Sequence, residues 1–190
     1  MKNNLAFKIL RWCGWTVEND FPKGLKKSVV IVFHHTSNWD FPLGPLVRNA
    51  WGVYVQFIAK DSLFRFPFGR LFRWLGGYPV DRTKSNNFVQ SVVEIFNTEP
   101  EFHVAISPEG TRKKVNKLKT GFYYIAVGAK VPIVCVKFDW GKKQLGCNEP
   151  IYPTGDYNAD IRRIAAYYKG VTGKNPACDF DFDKYLAELE

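Results

Sequence analysis

The apolar positions of the chain fall into two alternating patterns. Runs of β-branched and aromatic residues that suit buried strands occupy 28–33 (SVVIVF), 53–59, 78–80, 102–106 and 131–138. Segments with helical spacing occupy 40–51, 62–75, 86–97, 120–129 and 160–168. Pro42 fits the first turn of the 40–51 segment, whereas Pro45 is expected to bend or delay it. Pro67 interrupts 62–75, and Gly76-Gly77 gives that segment a C-terminal stop. Strand alternating with helix predicts an α/β fold. The expected form is a single domain with a central mostly parallel or mixed sheet, flanked by helices. No internal repeat or linker divides the chain, and 190 residues suffice for one buried core.

The N-terminus adds one element. Leu5, Ile9, Trp12 and Trp15 follow helical spacing, with Lys2, Lys8 and Arg11 interspersed. This amphipathic segment suits either a helix lying in a membrane's headgroup layer or one packed on the domain. The three cations leave no apolar core for a signal peptide. The longest stretch free of Asp, Glu, Lys and Arg is Ser28 to Trp39, well short of the roughly 20 residues of a membrane span. Cys13, Cys135, Cys147 and Cys178 form no C-x-x-C pair, so reduced thiols in a cytosolic compartment are the simplest expectation.

Charge sharpens the picture. The chain carries +9, concentrated in residues 1–30, 60–84 and 109–119 at +4 each, while 179–190 carries −4. Clustered cations favour nucleic acid, an anionic membrane surface or phosphorylated substrates. Aromatics interleaved with Arg at 64–66 and 72–74 suit single-stranded nucleic acid. Their alternation with Leu and Pro reads instead as core and membrane-facing surface. With no G-x-S-x-G, no G-x-x-x-x-G-K-[ST] and no G-x-G-x-x-G, an α/β-hydrolase elbow and the usual nucleotide-phosphate loops are disfavoured.

Three polar loops carry candidate chemistry. His34-His35-Thr36-Ser37-Asn38-Trp39-Asp40 follows the first core strand, where α/β folds place ligands. Across a loop into a first helical turn, the His35 and Asp40 side chains can meet. An imidazole steered by a carboxylate is suited to take a proton from a hydroxyl and return it to a leaving group. A loop histidine beside a helix cap is the alternative. His-His as a metal pair is weaker, because the chain has three histidines in all and shows no further ligands. Ser107-Pro108-Glu109-Gly110-Thr111-Arg112 follows another strand, with Lys113, Lys114, Lys117 and Lys119 beyond it. It suits a phosphate or a developing oxyanion. Gly76 to Arg82 can deliver a guanidinium to the same edge, or Asp81 and Arg82 can simply pair at the surface.

Taken in order, these blocks resemble the glycerophospholipid acyltransferases of the lysophosphatidate (1-acylglycerol-3-phosphate) type. His35 to Asp40 corresponds to that family's His-x4-Asp block, Gly76–Arg82 to its second block and Ser107–Arg112 to its Phe-Pro-Glu-Gly-Thr-Arg string. Val131–Val136 corresponds to its Val-Pro-Ile-x-Pro-Val strand. The departures are His34 for Asn, Ser107 for Phe, Cys135 for the second Pro and Lys113 for the Ser after Arg. The resemblance implies an amphipathic segment at 1–27 and an acyltransferase domain at 28–190. It implies transfer of a fatty acyl group from acyl-CoA or acyl carrier protein to a lysophospholipid hydroxyl, with His35 and Asp40 catalytic. Arg82, Arg112 and Lys119 would hold the acceptor's phosphate, with Lys60 a further cation. Glu109, Gly110 and Thr111 would complete the acceptor-binding loop. No metal and no cofactor beyond the thioester co-substrate is expected. The protein is expected to sit peripherally on the cytoplasmic face of an anionic membrane, with no nucleic-acid partner. An acyltransferase for a non-glycerol lipid, or a lipid-binding module without chemistry, are the alternatives.

Overall fold

The computed structural model describes residues 4–60, 64–67, 69–80 and 88–189. Seven strands form one sheet: β1 (Thr16–Val17), β2 (Lys27–Phe33), β3 (Val55–Lys60), β4 (Gly77–Val80), β5 (Phe102–Ile106), β6 (Ile133–Asp139) and β7 (Gln144–Cys147). Their order is β1-β7-β6-β2-β5-β3-β4. All neighbours are parallel except the antiparallel β6–β7 pair, so the sheet is mixed, as expected.

The continuous apolar run of β2 is explained by its place at the centre with both faces covered. Val29, Ile31 and Phe33 point into one core. That core is completed by α4 (Phe88–Thr98), α5 (Gly121–Ala129), α6 (Tyr157–Tyr168) and α7 (Phe182–Ala187). Val30 and Val32 point the other way, into a core built with α1 (Leu5–Trp12) and α2 (Asp40–Trp51). Leu10 of α1 is fully buried there, and α1 packs along α2. The N-terminal helix is therefore docked on the domain by one face. Its other face leaves Leu5 and Trp12 exposed.

Three sequence expectations are modified. Pro45 neither delays nor divides α2, which runs unbroken from Asp40 to Trp51. Among the described residues of the 62–75 segment, the α-helix is α3 (Gly69–Trp74). A helix begun at Ser62 would put Pro67 in its interior, where the missing N–H and the ring's clash with the preceding turn are costly. β7 was not anticipated, because a four-residue strand containing Gly146 is too short to show a period. The glycine has a reason. A Cβ there would lie 2.9 Å from Glu18 Oε2 and 3.3 Å from Lys137 Cε, against the 2.7 Å Glu18–Lys137 ion pair.

Candidate active site

Parallel pairing sends the carboxyl ends of β2, β3, β4, β5 and β6 to one edge of the sheet. That edge is where a doubly covered α/β sheet opens to a ligand. The chain leaving β2 carries His34 to Asp40, and the chain leaving β5 carries Ser107 to Arg112. Trp140 leaves β6, and Lys60 closes β3.

His35 and Asp40 meet there. His35 Nδ1 lies 3.1 Å from Asp40 Oδ2. With the carboxylate ionised, Nδ1–H is the donor and Nε2 is left as a free acceptor. Asp40 is buried at the first turn of α2 and receives two more donors. The Ser37 N–H reaches Oδ2 at 3.1 Å, and the Trp140 indole N–H reaches Oδ1 at 2.8 Å. The carboxylate thus has three hydrogen-bond partners and stands at the N-terminus of α2. The imidazole is a quarter exposed, which leaves it open to a substrate.

Glu109 ties the β5 loop to the β2 loop. Its Oε1 accepts the His35 backbone N–H at 3.0 Å, and its Oε2 accepts the Ser107 hydroxyl at 2.7 Å. Burial pushes the Glu109 carboxyl up from its ordinary value, while these two donors oppose that rise. The side chain is thus buried between the loops and braces the backbone of His35.

Gly110 has φ +65°, and a Cβ there would lie 2.7 Å from both Cε and Nζ of Lys119. The lysine chain therefore crosses directly over the glycine, and its backbone N–H is fixed to the Pro108 carbonyl at 2.8 Å. Thr111 and Arg112 are exposed on the same turn, and the Thr111 hydroxyl accepts the Lys113 N–H. Lys60 ends β3 in register with Val80. Arg82 and Asp81 lie outside the described residues. The structure thus brings together His35, Asp40 and Glu109 by direct contact, with Gly110 and Lys119 adjoining them.

Two features had no sequence signal. Trp140 stands one hundred positions from the Asp40 it contacts. The other is an apolar cavity of about 290 Å³ between α2 and the sheet. Val30, Val47, Phe57 and Val136 line it, with His35 and Asp40 also in its wall. His35 therefore borders a greasy space while its backbone N–H is held by the β5 loop through Glu109. Among the described residues no group of three His, Cys, Asp or Glu is placed to hold a metal ion.

The two histidines of the loop differ sharply. His34 is buried, and its Nδ1 accepts the Phe180 N–H at 2.9 Å. Burial, reinforced by the Lys114 cation, lowers its pKa to about 4. Thr36 Oγ1 accepts the Asn175 N–H at 3.0 Å. The segment after α6 thus holds the β2 loop through His34 and Thr36, while His35 lines the cavity.

The family and the fold have counterparts among known proteins. A family model described as acyltransferase matches residues 15–139. Among solved structures, the 1-acyl-sn-glycerophosphate (LPA) acyltransferase PlsC from Thermotoga maritima has a similar fold, with a TM-score of 0.59 at 24% identity. The match covers 87% of this chain and 75% of that one. A search of curated proteins returns no match.

Proposed function

Since the chain belongs to the acyltransferase family, we propose that it moves a fatty acyl group from acyl-CoA or acyl carrier protein to a hydroxyl of a lysophospholipid such as 1-acylglycerol-3-phosphate. The observation that carries this reading is the 3.1 Å His35–Asp40 pair in the wall of an apolar cavity. In the proposed reaction, His35 Nε2 takes the proton of the acceptor hydroxyl as its oxygen attacks the thioester carbonyl. Asp40 holds the tautomer and stabilises the imidazolium. Collapse of the tetrahedral intermediate breaks the C–S bond, and the imidazolium returns its proton to the departing thiolate.

A single displacement fits the surroundings better than an acyl-enzyme. The Ser37 hydroxyl oxygen accepts the Trp39 N–H, and Cys135 and Cys147 are buried with their thiols pushed up by desolvation. The cavity suits a fatty chain, because moving methylenes out of water is worth about 0.8 kcal/mol each. Lys119 and Arg112, with Lys60 and Arg82, are the proposed phosphate-holding cations. The fitting assay is mass spectrometry of purified protein with palmitoyl-CoA or palmitoyl carrier protein and a panel of lysolipids. The reading expects ester product from lysophosphatidate; product from non-phosphorylated acceptors alone would contradict it.

Peripheral attachment to the cytoplasmic face of an anionic membrane belongs to the same proposal. Among the described residues no helix is long and apolar enough to cross a bilayer. Trp12 (89% exposed) on α1, Phe66 (98%) in the turn before α3 and Trp74 (75%) on α3 are suited to the headgroup layer. These elements adjoin the cavity: α1 packs on α2, and Arg48 of α2 donates to the Leu75 carbonyl just past α3. Co-sedimentation with anionic vesicles should weaken with salt and on Trp12→Ala; salt-insensitive or absent binding would remove the proposal.

A further inference from the structure

Resting on His35 as general base, we propose that Trp140 is a positioning residue whose indole N–H fixes the Asp40 carboxylate and sets the proton affinity of the His35–Asp40 pair. Asp40 presents one oxygen to each side. Oδ2 faces His35 and the Ser37 N–H, and Oδ1 faces the indole at 2.8 Å. A carboxylate held at only one oxygen can swing about its Cβ–Cγ bond. Held at both, it presents Oδ2 to the imidazole in one orientation.

The indole is itself held on several sides, beginning with its packing against the core that contains Trp15. The Trp140 backbone N–H donates to the Thr172 carbonyl at 2.8 Å. The Trp15 ring meets it edge-on at 4.9 Å and 80°. Two ammonium groups sit against the Trp140 ring, Lys174 at 4.5 Å and Lys143 at 5.0 Å from its centroid. Each is shared with a second tryptophan: Lys174 lies 4.7 Å from Trp39, and Lys143 lies 4.9 Å from Trp15. The result is a ladder, Trp15–Lys143–Trp140–Lys174–Trp39, whose middle rung is bonded to the catalytic carboxylate. Cations on an indole face are attracted by its π electrons and draw density from the ring, which strengthens the N–H as a donor.

The sign of the effect follows. A strong donor on Oδ1 withdraws charge from the carboxylate, so less remains to stabilise the imidazolium, and His35 is kept a readier proton donor to the leaving thiolate. The other charged and titratable groups around the pair are Glu109, bonded to the His35 backbone, Arg48 in the cavity wall, and the two lysines on the indole. Glu109 and Arg48 are held by other partners, the His35 N–H and the Val55 and Leu75 carbonyls, and stay in place when the indole is replaced.

Trp140→Phe removes that N–H and keeps a ring. NMR titration of His35 in this variant should give an apparent pKa raised by about half a unit or more. In acyl transfer, kcat should fall about tenfold, with KM for donor and acceptor changed by less than about twofold and the acidic limb displaced upward. An unshifted His35 titration, or a loss expressed in KM alone, would overturn the proposal. Should Trp140→Phe fail to fold, the wild-type indole resonance decides. The Trp140 Nε1–H signal must move with the His35 titration and shift in Asp40→Asn, and a signal indifferent to both would also overturn it. If the wild type transfers no acyl group to any lysolipid, the functional reading falls, while the titration still judges Trp140.

Discussion

Gly110 is the position where the backbone and the proposed phosphate site constrain each other most closely. Its φ of +65° is natural for glycine, and the space where a Cβ would stand is filled by the end of Lys119. Gly110→Ala therefore has two separable effects. The left-handed backbone should cost about 1 kcal/mol in stability, measurable by denaturation. Lys119, whose end is flexible, should be pushed aside, raising KM for a phosphorylated acceptor about tenfold with kcat little changed. Lys119→Ala should reproduce the KM effect without the stability loss. An unchanged KM in both variants would remove Lys119 from the acceptor site. The resemblance makes Glu109 part of the acceptor-binding loop. Both its oxygens accept hydrogen bonds, from the Ser107 hydroxyl and the His35 N–H, as a buried carboxylate requires.

At the scale of elements, α2 does two jobs. Its first turn carries Asp40, and its inner face walls the cavity through Phe41, Gly44, Val47 and Arg48. Gly44 is the informative position, since a Cβ built there meets nothing within 4 Å. Gly44→Ala should stabilise the protein by about 0.5–1 kcal/mol, the ordinary gain for filling a helix-interior glycine. Gly44→Phe should fill the cavity instead. Transfer from a long-chain donor should then fall about tenfold or more while a short-chain donor is spared. Equal losses for both donors, measured side by side, would show that the cavity does not hold the acyl chain. The sequence made this helix legible to the residue, because Asp40 opens it and Gly52 closes it with φ 68°. It could not show the cavity, which arises only when α2 meets β2, β3 and β6. Nor could it limit α3 to Gly69–Trp74, since apolar spacing continues through Pro67.

For the whole molecule, the C-terminal segment and the β2 loop share one pH-sensitive contact. His34 accepts from the Phe180 N–H, which requires Nδ1 unprotonated. Its folded pKa of about 4 lies below the ordinary 6.5, so the unfolded chain binds the proton more readily. The stability this contributes is complete above pH 6.5 and is lost as pH falls toward 4, by about 2–3 kcal/mol in all. Glu109 and Asp179, whose carboxyls are raised by burial, act in the opposite direction over the acid range. Melting curves of wild type and His34→Gln from pH 7 to pH 4 isolate the histidine: the variant should lose less stability on acidification, and parallel curves would refute the assignment. No spacing in the sequence points to this latch, because His34–Phe180 and Trp140–Asp40 are contacts made across more than half the chain. What was legible, the core strands, α2 and the His35–Asp40 pair, rests on short-range patterns and spacings that local geometry alone can set.

The account depends above all on His35 acting as the base. Its most direct measurement is the rate of acyl transfer from a radiolabelled thioester by His35→Ala beside wild type, with both melting at the same temperature. The account predicts a fall of about a thousandfold, within the range general-base catalysis supplies. A folded His35→Ala protein that transfers acyl groups within about threefold of the wild-type rate would contradict it.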